Sequence, residues 1–532
     1  MSQKGLTPRR TAATSLLHPE RTQEVPVNAT AIVTYARGWP ALAATRSLGT
    51  RGVRVVCGDS VPWTPSSFSR HCARSFRCPD AREDPAGFLA ALEEQVRREQ
   101  ARGGEVVLLP VHAETVLLAE ERARFEALGA RLALPPAEAA RRVHDKGALA
   151  EWAEARGVAT PPTHRFASLA KVYAAAHSVR YPAFVKLRTA AAGVGVEKVC
   201  SPEELVRTYR RLIEDYGLDA ADFPLVQEFA PGEDLCVSVL YERGRLVASH
   251  AYRNLRQFPR TTGAGVLRET THAPEAVEVA DRLLAPLAWH GVAQLDFRWD
   301  GSGTPQLIEV NPRLFGGLTQ AVAAGVDYPW LLFRLALGRS CEVPRVDPRP
   351  RTVAPVVGLL ASAQAAATGE EPSLRAALAP HRGARNDVWR RDDPLPVLGL
   401  LYPLALLFEH GTLSTALVLS EARAKGAAVA ERGWRELLRP NARTFLATGV
   451  VFLLSVFCTQ ASALDGTLLD GLFSLPAAVA TRLSLPPEGP AAYALFHLAN
   501  FCFLWVLAAG LLRLREAARA ARSRARLAGG AS

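Results

Sequence analysis

Along its N-terminal part the chain alternates between two hydrophobic rhythms. Short continuous apolar runs, TAIVTY (30–35), VRVVCGD (53–59) and EVVLLP (105–110), are separated by stretches whose apolar residues recur every three or four positions, WPALAATRSLG (39–49) and PAGFLAALEEQVRREQ (85–100). The runs predict buried strands and the slower period predicts helices. Strands alternating with helices imply a parallel sheet with helices on its faces. The turn after the first run holds one glycine, Gly38, and no G-x-G-x-x-G. The pattern therefore favours a structural Rossmann-like α/β unit over 28–140 rather than a dinucleotide site.

From about Arg141 the texture changes. HDKGALAEWAEARG (144–157) reads as a helix stopped at Gly157, with Pro161 and Pro162 just beyond. The strand YPAFVKL (181–187) runs into a small-residue loop, RTAAAGVGV (188–196), and SPEEL (201–205) opens a further helix with a serine cap. Strands PLVQEFA (224–230) and LCVSVLY (235–241), a helical stretch over 274–291, and the pair VAQLDFRWD (292–300) and QLIEVN (306–311) complete an α+β unit placed at 141–342. The expected fold class is thus α/β plus α+β. Residues 343–442, rich in Pro, Arg and Ala at their start, read as a linker.

The last strand pair carries the first candidate chemistry. GSGTP (301–305) joins the two strands, so they should pair antiparallel. With the turn centred between Ser302 and Gly303, Asp296 falls opposite Glu309, and paired Cβ atoms lie about 5 Å apart on one face. Two carboxylates so placed repel unless a cation lies between them. Glu309, Asn311 and Arg313 share a face if the strand continues, because side chains alternate. Carboxylate and amide oxygens are the hard ligands Mg²⁺ prefers, with phosphate oxygens completing its shell. Upstream, Lys186 ends a strand before a loop whose Ala and Gly residues leave backbone N–H groups open to an anion.

Composition sharpens this in three places. At 532 residues the chain is too long for one core, and 48% hydrophobic with 22% charged residues is the balance of a folded protein. The net charge of +11 does not point to nucleic acid. Six arginines and one glutamate between Arg513 and Ser532 supply +5 of it, and no basic patch interleaved with aromatics stands out. Only six of the 63 basic residues are lysines, which makes Lys146 and Lys186 conspicuous. The eight cysteines form no C-x-x-C pair and have no accompanying His cluster, so reduced thiols are expected rather than a zinc site. Residues 1–27 lack the apolar core of a secretory signal and read as a disordered leader.

Taken in order, the D-K helix, the strand-terminal lysine with its small-residue loop, VQEFAPGED (226–234), a late Asp strand and IEVNPR (308–313) resemble the ATP-grasp superfamily, and within it the carboxylate–amine ligases. Residues 28–140 are similar to the Rossmann-like pre-ATP-grasp domain found also in biotin carboxylase and carbamoyl phosphate synthetase. The resemblance implies a two-subdomain ATP-grasp domain at 141–342, using ATP and Mg²⁺ (or Mn²⁺). Lys146 and Lys186 would hold the ATP phosphates, and the loop at Gly193 and Gly195 would close over them. The backbone at Glu228 and Phe229 would meet adenine, with Gln227 in the same ATP-binding set and Asp234 at the ribose hydroxyls. Asp296, Glu309 and Asn311 would hold the metal, and Arg313 would stabilise charge on the transferred phosphoryl group. Arg268, in GVLRET, would bind the acceptor carboxylate or the acyl phosphate. The loop has fewer glycines than the biotin carboxylase version and the motif reads N-P-R rather than N-T-R, which argues against a biotin carboxylase.

The function so implied is a ligase that activates a carboxylate as its acyl phosphate for attack by an amine. Its partners would be small-molecule carboxylates and amines, with cell-wall or lipid-linked precursors among the candidates, together with membrane lipids and no nucleic acid. Rival readings are a membrane-tethered ATP-binding or scaffold protein without turnover, and an ATP-dependent carboxylase. The membrane enters through two segments, 444–464 and 491–512, which contain no charged residue and are each long enough to cross a hydrocarbon core. Arg432, Arg435, Arg439 and Arg443 precede the first, six arginines follow the second, and the loop between holds only Arg482 against Asp465, Asp470 and Glu488. The positive-inside bias places both flanks, with the basic tail 514–532 and the catalytic domains, on the cytoplasmic side of the cell membrane as a two-helix hairpin spanning 443–513. The shorter apolar stretch 395–407 is expected to lie at the interface or against that hairpin.

Overall fold

Buried apolar runs become central strands. In the computed structural model, which describes residues 28–189, 195–258, 263–342 and 345–400, β1 (Thr30–Val33) and β4 (Val106–Leu109) are buried at every position. They lie side by side and parallel, flanked by β2 (Arg54–Asp59), β3 (Cys72–Arg77) and β5 (Ala130–Arg131) in the order β3-β2-β1-β4-β5. Strands covered on both faces need such continuous apolar runs. β3 alternates half-buried and exposed residues and sits at the edge. Helix Trp39–Gly49 follows β1, and helix Pro85–Gln100 is capped by Asp84, which accepts from the Gly87 N–H at 2.8 Å.

The next unit contains two antiparallel layers. β6 (Thr163–Arg165), β7 (Ala183–Lys186), β8 (Val196–Val199) and β9 (Leu225–Glu228) form a four-stranded sheet in the order β6-β9-β7-β8. Helix Pro202–Tyr216 buries Leu205, Tyr209 and Leu212 beneath it. The larger sheet consists of β10 (Glu233–Glu242), β11 (Arg245–Phe258), β12 (Ala264–Thr271), β13 (Gly291–Trp299), β14 (Gln306–Asn311), β15 (Arg351–Val353) and β16 (Arg385–Asn386), ordered β14-β13-β10-β11-β12-β15-β16. Its period of two divides chemistry between the faces. Val237, Val239, Leu295 and Phe297 pack against helix Pro274–Leu284, while Asp234, Cys236, Gln294 and Asp296 alternate with them on the opposite face. A continuous apolar core then joins the two units, bringing Ala31, Val33 and Leu48 together with Leu314, Phe315, Tyr328 and Phe333.

The expected linker is corrected over its described part. β15 pairs with β12 and β16 pairs with β15, extending the large sheet. Ala354, Val357, Ala361, Val388 and Leu400 form a core cluster with Leu42 and Val266. Asp393 bonds Arg46 at 2.8 Å and the carbonyls of Val388 and Asp393 accept from the same guanidinium. The Pro–Arg–Ala composition resembled a linker because short buried stretches were diluted among polar ones, and paired charges make those polar residues compatible with burial. The first six residues of the 395–407 stretch form a short turn, Leu395–Leu400, in which Leu400 joins this cluster rather than remaining exposed. Among the described residues no helix is long and apolar enough to cross a membrane. The segments 444–464 and 491–512, the tail 514–532 and the leader 1–27 lie outside the described residues.

Candidate functional site

The β13–β14 hairpin brings Asp296 opposite Glu309, as the turn arithmetic expects. It does so with an irregularity: Phe297 pairs with Leu307, so the register shifts between Asp296 and Phe297. Asn311 Nδ2 lies 3.2 Å from Asp296 Oδ2 and 3.3 Å from Glu309 Oε1. Gln294 Nε2 donates to Asp296 Oδ1 at 2.7 Å. Arg313 stands beyond the end of β14, and a hydrogen bond from its Nη2 to Asn311 Oδ1 (2.9 Å), not the strand pleat, joins it to the group.

Two lysines close the other side. Lys146 Nζ is 3.3 Å from Glu309 Oε2, and Lys186 Nζ donates to Gln227 Oε1 at 2.6 Å. Their meeting is set locally. Asp145 caps helix Lys146–Ala155, accepting from the Gly147 and Ala148 N–H groups, and also holds Arg188 at 2.8 Å, while the Lys146 N–H donates to the Arg188 carbonyl. This ties the helix start to the chain just past β7. A small cleft lies between Lys146, Lys186, Gln227, Leu307 and Ile308.

The charges here are strongly interdependent. Burial works to raise the Glu309 carboxyl, but Lys146 and Lys186 outweigh it and hold the group down at about 2. Burial and the Glu309 charge push Asp296 well above the usual carboxylate range. Burial and the neighbouring charge therefore oppose ionising both groups at once, and a cation between them would favour two carboxylates. Burial lowers Lys186 to about 8, although Glu309 opposes this.

The remaining expected site residues divide. Gly195 closes the hairpin after β7 with φ +61, where the Leu187 N–H donates to its carbonyl and an added side chain would run into Leu187. Gly193 lies outside the described residues. At Glu228 and Phe229 the expectation is corrected for the N–H groups: they donate to the carbonyls of Pro162 (2.9 Å) and Pro182 (3.1 Å), inside the sheet. The Glu228 carboxylate is tied to Arg180 and His164. The Phe229 ring is 45% exposed, beside Phe184 and with the Arg298 guanidinium 5.8 Å from its centre. Asp234 accepts from Arg298 Nη1 at 2.6 Å and from Gln257. Arg268 is the clearest correction. It is 2% exposed, with Nη1 2.8 Å from Asp387 Oδ2 and Nη2 2.6 Å from the Gly265 carbonyl, so its guanidinium is committed to the fold rather than offered to a ligand.

Sequence reasoning missed the Lys146–Glu309 ion pair and a set of N-terminal residues, Tyr35, Arg82 and His112, whose electrostatics are coupled to Arg313. A signal for the latter existed, since Tyr35 and His112 follow the first and fourth parallel strands, where open sheets bind ligands.

Residues 221–357, which include β9 to β15 and the hairpin with its carboxylates, match the family described as "ATP-grasp in the biosynthetic pathway with Ter operon". Over this stretch the chain is similar to ATP-grasp proteins. It is 29% identical over 211 residues to carnosine synthase 1 of Homo sapiens, an overlap covering 36% of this chain and 25% of that protein, so the chain spans about a quarter of the length of this curated relative. Two solved structures are also similar. One is the biotin carboxylase domain of Hydrogenobacter thermophilus 2-oxoglutarate carboxylase in complex with MgADP, ADP and bicarbonate (18% identity, 60% of this chain and 73% of that one, TM-score 0.49). The other is an L-amino acid ligase from Bacillus licheniformis (16% identity, 61% and 78%, TM-score 0.45). ATP-grasp domains take ATP with Mg²⁺. Two carboxylates lie here beside Asn311, whose Nδ2 faces them and whose Oδ1 accepts from Arg313, and Lys146 stands next to Glu309.

Proposed function

We propose that this chain is an ATP-dependent ligase of the carboxylate–amine type. The observation that carries the reading is the half-buried Asp296–Glu309 carboxylate pair beside Asn311, bounded by Lys146 on one side and Arg313 on the other. Asp296, Glu309 and Asn311 hold Mg²⁺, which neutralises phosphate charge when bound. Lys146 and Lys186 contact the phosphates, and the exposed Phe229 ring lies along the adenine. A carboxylate oxygen attacks the γ-phosphorus as the bond to ADP breaks. The amine nitrogen then attacks the carbonyl carbon of the acyl phosphate, phosphate leaves and the nitrogen loses a proton. Positioning and electrostatics supply most of the acceleration. ADP release, dependent on both an acid and an amine, tests the reading, and ATP binding without any acceptor-dependent turnover would overturn it.

Lys186 gives this proposal a pH signature. Its ammonium is lost as pH rises through about 8 in the free protein. Nucleotide affinity should therefore fall across that range, and kcat/KM for ATP, which reports the free enzyme, should fall with it. Lys186→Arg should flatten that limb, because arginine stays charged. Lys186→Ala should weaken ATP binding by roughly tenfold or more, as loss of a charge-assisted contact does; unchanged affinity by titration would reduce the loop to an ordinary hairpin.

We further propose that segments 444–464 and 491–512 anchor the enzyme with its catalytic part at the cytoplasmic face of the membrane. The support is their uncharged length and the arginine bias of both flanks. Full-length protein should stay with membranes through high-salt and carbonate washes, and a chain ending at Pro440 should not. Release of the full-length protein would overturn the anchor.

A further inference from the structure

Among the described residues, three of the six large apolar side chains left exposed gather at one place. Trp63, in the loop between β2 and β3, is 63% exposed, and Leu395 and Leu398, in the turn Leu395–Leu400, are 57% and 38% exposed. The two segments are packed tightly together. A side chain added at Gly399 would come within 2.2 Å of the Pro65 nitrogen and 2.5 Å of the Thr64 carbonyl carbon. Pro396, Gly399 and Leu400 turn into the fold, which leaves Leu395 and Leu398 on the outside.

The loop is held firmly behind the indole. Pro62 and Pro65 restrict the backbone on either side. The Val61 N–H donates to Asp59 Oδ1 at 3.0 Å, the Ser67 hydroxyl donates to the Thr64 carbonyl at 2.7 Å, and Thr64 and Ser66 are buried. Trp63 itself has φ +56, a conformation that a residue with a side chain holds only where its surroundings impose it. Positive charge rims the patch. The Arg70 N–H donates to Asp393 Oδ1 at 2.9 Å and its Nη1 to the Asp392 carbonyl at 3.1 Å, which sets this guanidinium beside the start of the Leu395 turn. Arg391 is exposed in the same stretch of chain. The acids nearby are already answered, Asp392 by Arg390 at 2.7 Å and Asp393 by Arg46 at 2.8 Å.

We infer that Trp63, Leu395 and Leu398 form a lipid-contact face that seats the catalytic part on an anionic phospholipid bilayer, with Arg70 and Arg391 at the headgroup phosphates. An exposed apolar patch with a polar rim marks an interaction surface, and an indole and leucines edged by arginines suit the boundary between headgroups and acyl chains. The described residues end at Leu400, inside the patch, and the uncharged segments 444–464 and 491–512 follow in sequence, so the route to the anchor starts at this face. The inference rests on the membrane anchor proposed above and adds the surface that orients the catalytic part against the bilayer.

The test uses full-length protein reconstituted in vesicles of phosphatidylcholine and phosphatidylglycerol. A photoreactive benzophenone is placed in the patch by Trp63→p-benzoylphenylalanine or Leu398→p-benzoylphenylalanine, and at an exposed ring elsewhere by Tyr173→p-benzoylphenylalanine. After irradiation the mass of the labelled peptide identifies what each position touches. Positions 63 and 398 should carry phospholipid and position 173 should not. Arg70→Gln combined with Arg391→Gln should cut the lipid adduct at position 63 by about fivefold or more, as loss of two arginines from an anionic surface does, and vesicles of phosphatidylcholine alone should do the same. Thermal melting of each variant should match the parent. Flotation of the vesicles after a carbonate wash reads the anchor separately. Protein that floats but gives no lipid adduct at 63 or 398 overturns the lipid face. An adduct of position 63 to residues 401–440 or to a second copy of the chain overturns it too, as does equal lipid labelling at position 173. Protein that does not float overturns the anchor beneath it.

Discussion

Glu309→Ala is expected to cut ADP release by about a hundredfold or more, the order seen when the support of a metal site is removed, while its melting transition moves little. In the proposed site Glu309 is a metal oxygen; it is also the counter-ion of Lys146, and its charge together with burial pushes the Asp296 carboxyl up. Its removal has two opposed consequences for the fold. Lys146 and Lys186 lose the charge that faces them, which destabilises. Asp296 loses the charge that repels it, ionises more readily and takes over as counter-ion, which offsets that loss. Catalysis has no such compensation, because a single carboxylate with Asn311 leaves the cation one oxygen short on the protein side. Mg²⁺ dependence of ADP release and thermal melting, measured on both proteins, check the two halves separately. Activity equal to that of the parent would remove Glu309 from the metal site, and a collapsed melting transition would show that its role is structural.

Asp387→Ala should be the most destabilising single change in the described residues outside the site. Asp387 and Arg268 are 1% and 2% exposed, and their ion pair spans 2.8 Å. Burial pushes the Asp387 carboxyl up against the opposing pull of Arg268, so desolvation takes back much of what the pair contributes. Breaking it is another matter, since a buried guanidinium is then left without its charge partner, at a cost of about 3–5 kcal/mol. That is a large fraction of the roughly 5–15 kcal/mol that holds a typical domain folded. The double change Arg268→Met with Asp387→Leu should recover most of the loss, because it removes both desolvated charges. Urea unfolding of the single and double variants checks this. A single variant as stable as the parent would mean that Arg268 reaches another anion, and would reopen its assignment as a ligand-binding residue.

The chain's local patterns were sufficient for several elements. Continuous runs at 30–35, 53–59 and 105–110 became parallel strands because a strand covered on both faces needs no polar alternation. The glycine-rich turn at 301–305 made the antiparallel pairing legible, but the register next to it would place Asp296 opposite Ile308, and the irregularity between Asp296 and Phe297 is what brings Asp296 opposite Glu309. Lys186 at a strand end and the oxygen donors Asp296, Glu309 and Asn311 were legible for the same reason. Each lies within one element, whose geometry a short stretch determines.

What lay between elements was decided by the tertiary structure. Arg268 looked like a ligand-binding cation until Asp387, 119 residues later, was found against it. Lys146 looked like an isolated helix lysine with a phosphate role, and the fold made it also the counter-ion of Glu309. The stretch after 345 read as a linker because its apolar residues are few and scattered; only the meeting of β15 with β12, and of Val388 and Leu400 with Leu42, gives them a core to join. Sequence by itself therefore determined the strands and the hairpin, and it put Asp296, Glu309 and Asn311 within that hairpin, because these follow from backbone periodicity and the turn. Which charge faces which depends on contacts between residues more than a hundred positions apart, and no local pattern encodes a Coulomb interaction whose partner arrives only when the chain closes.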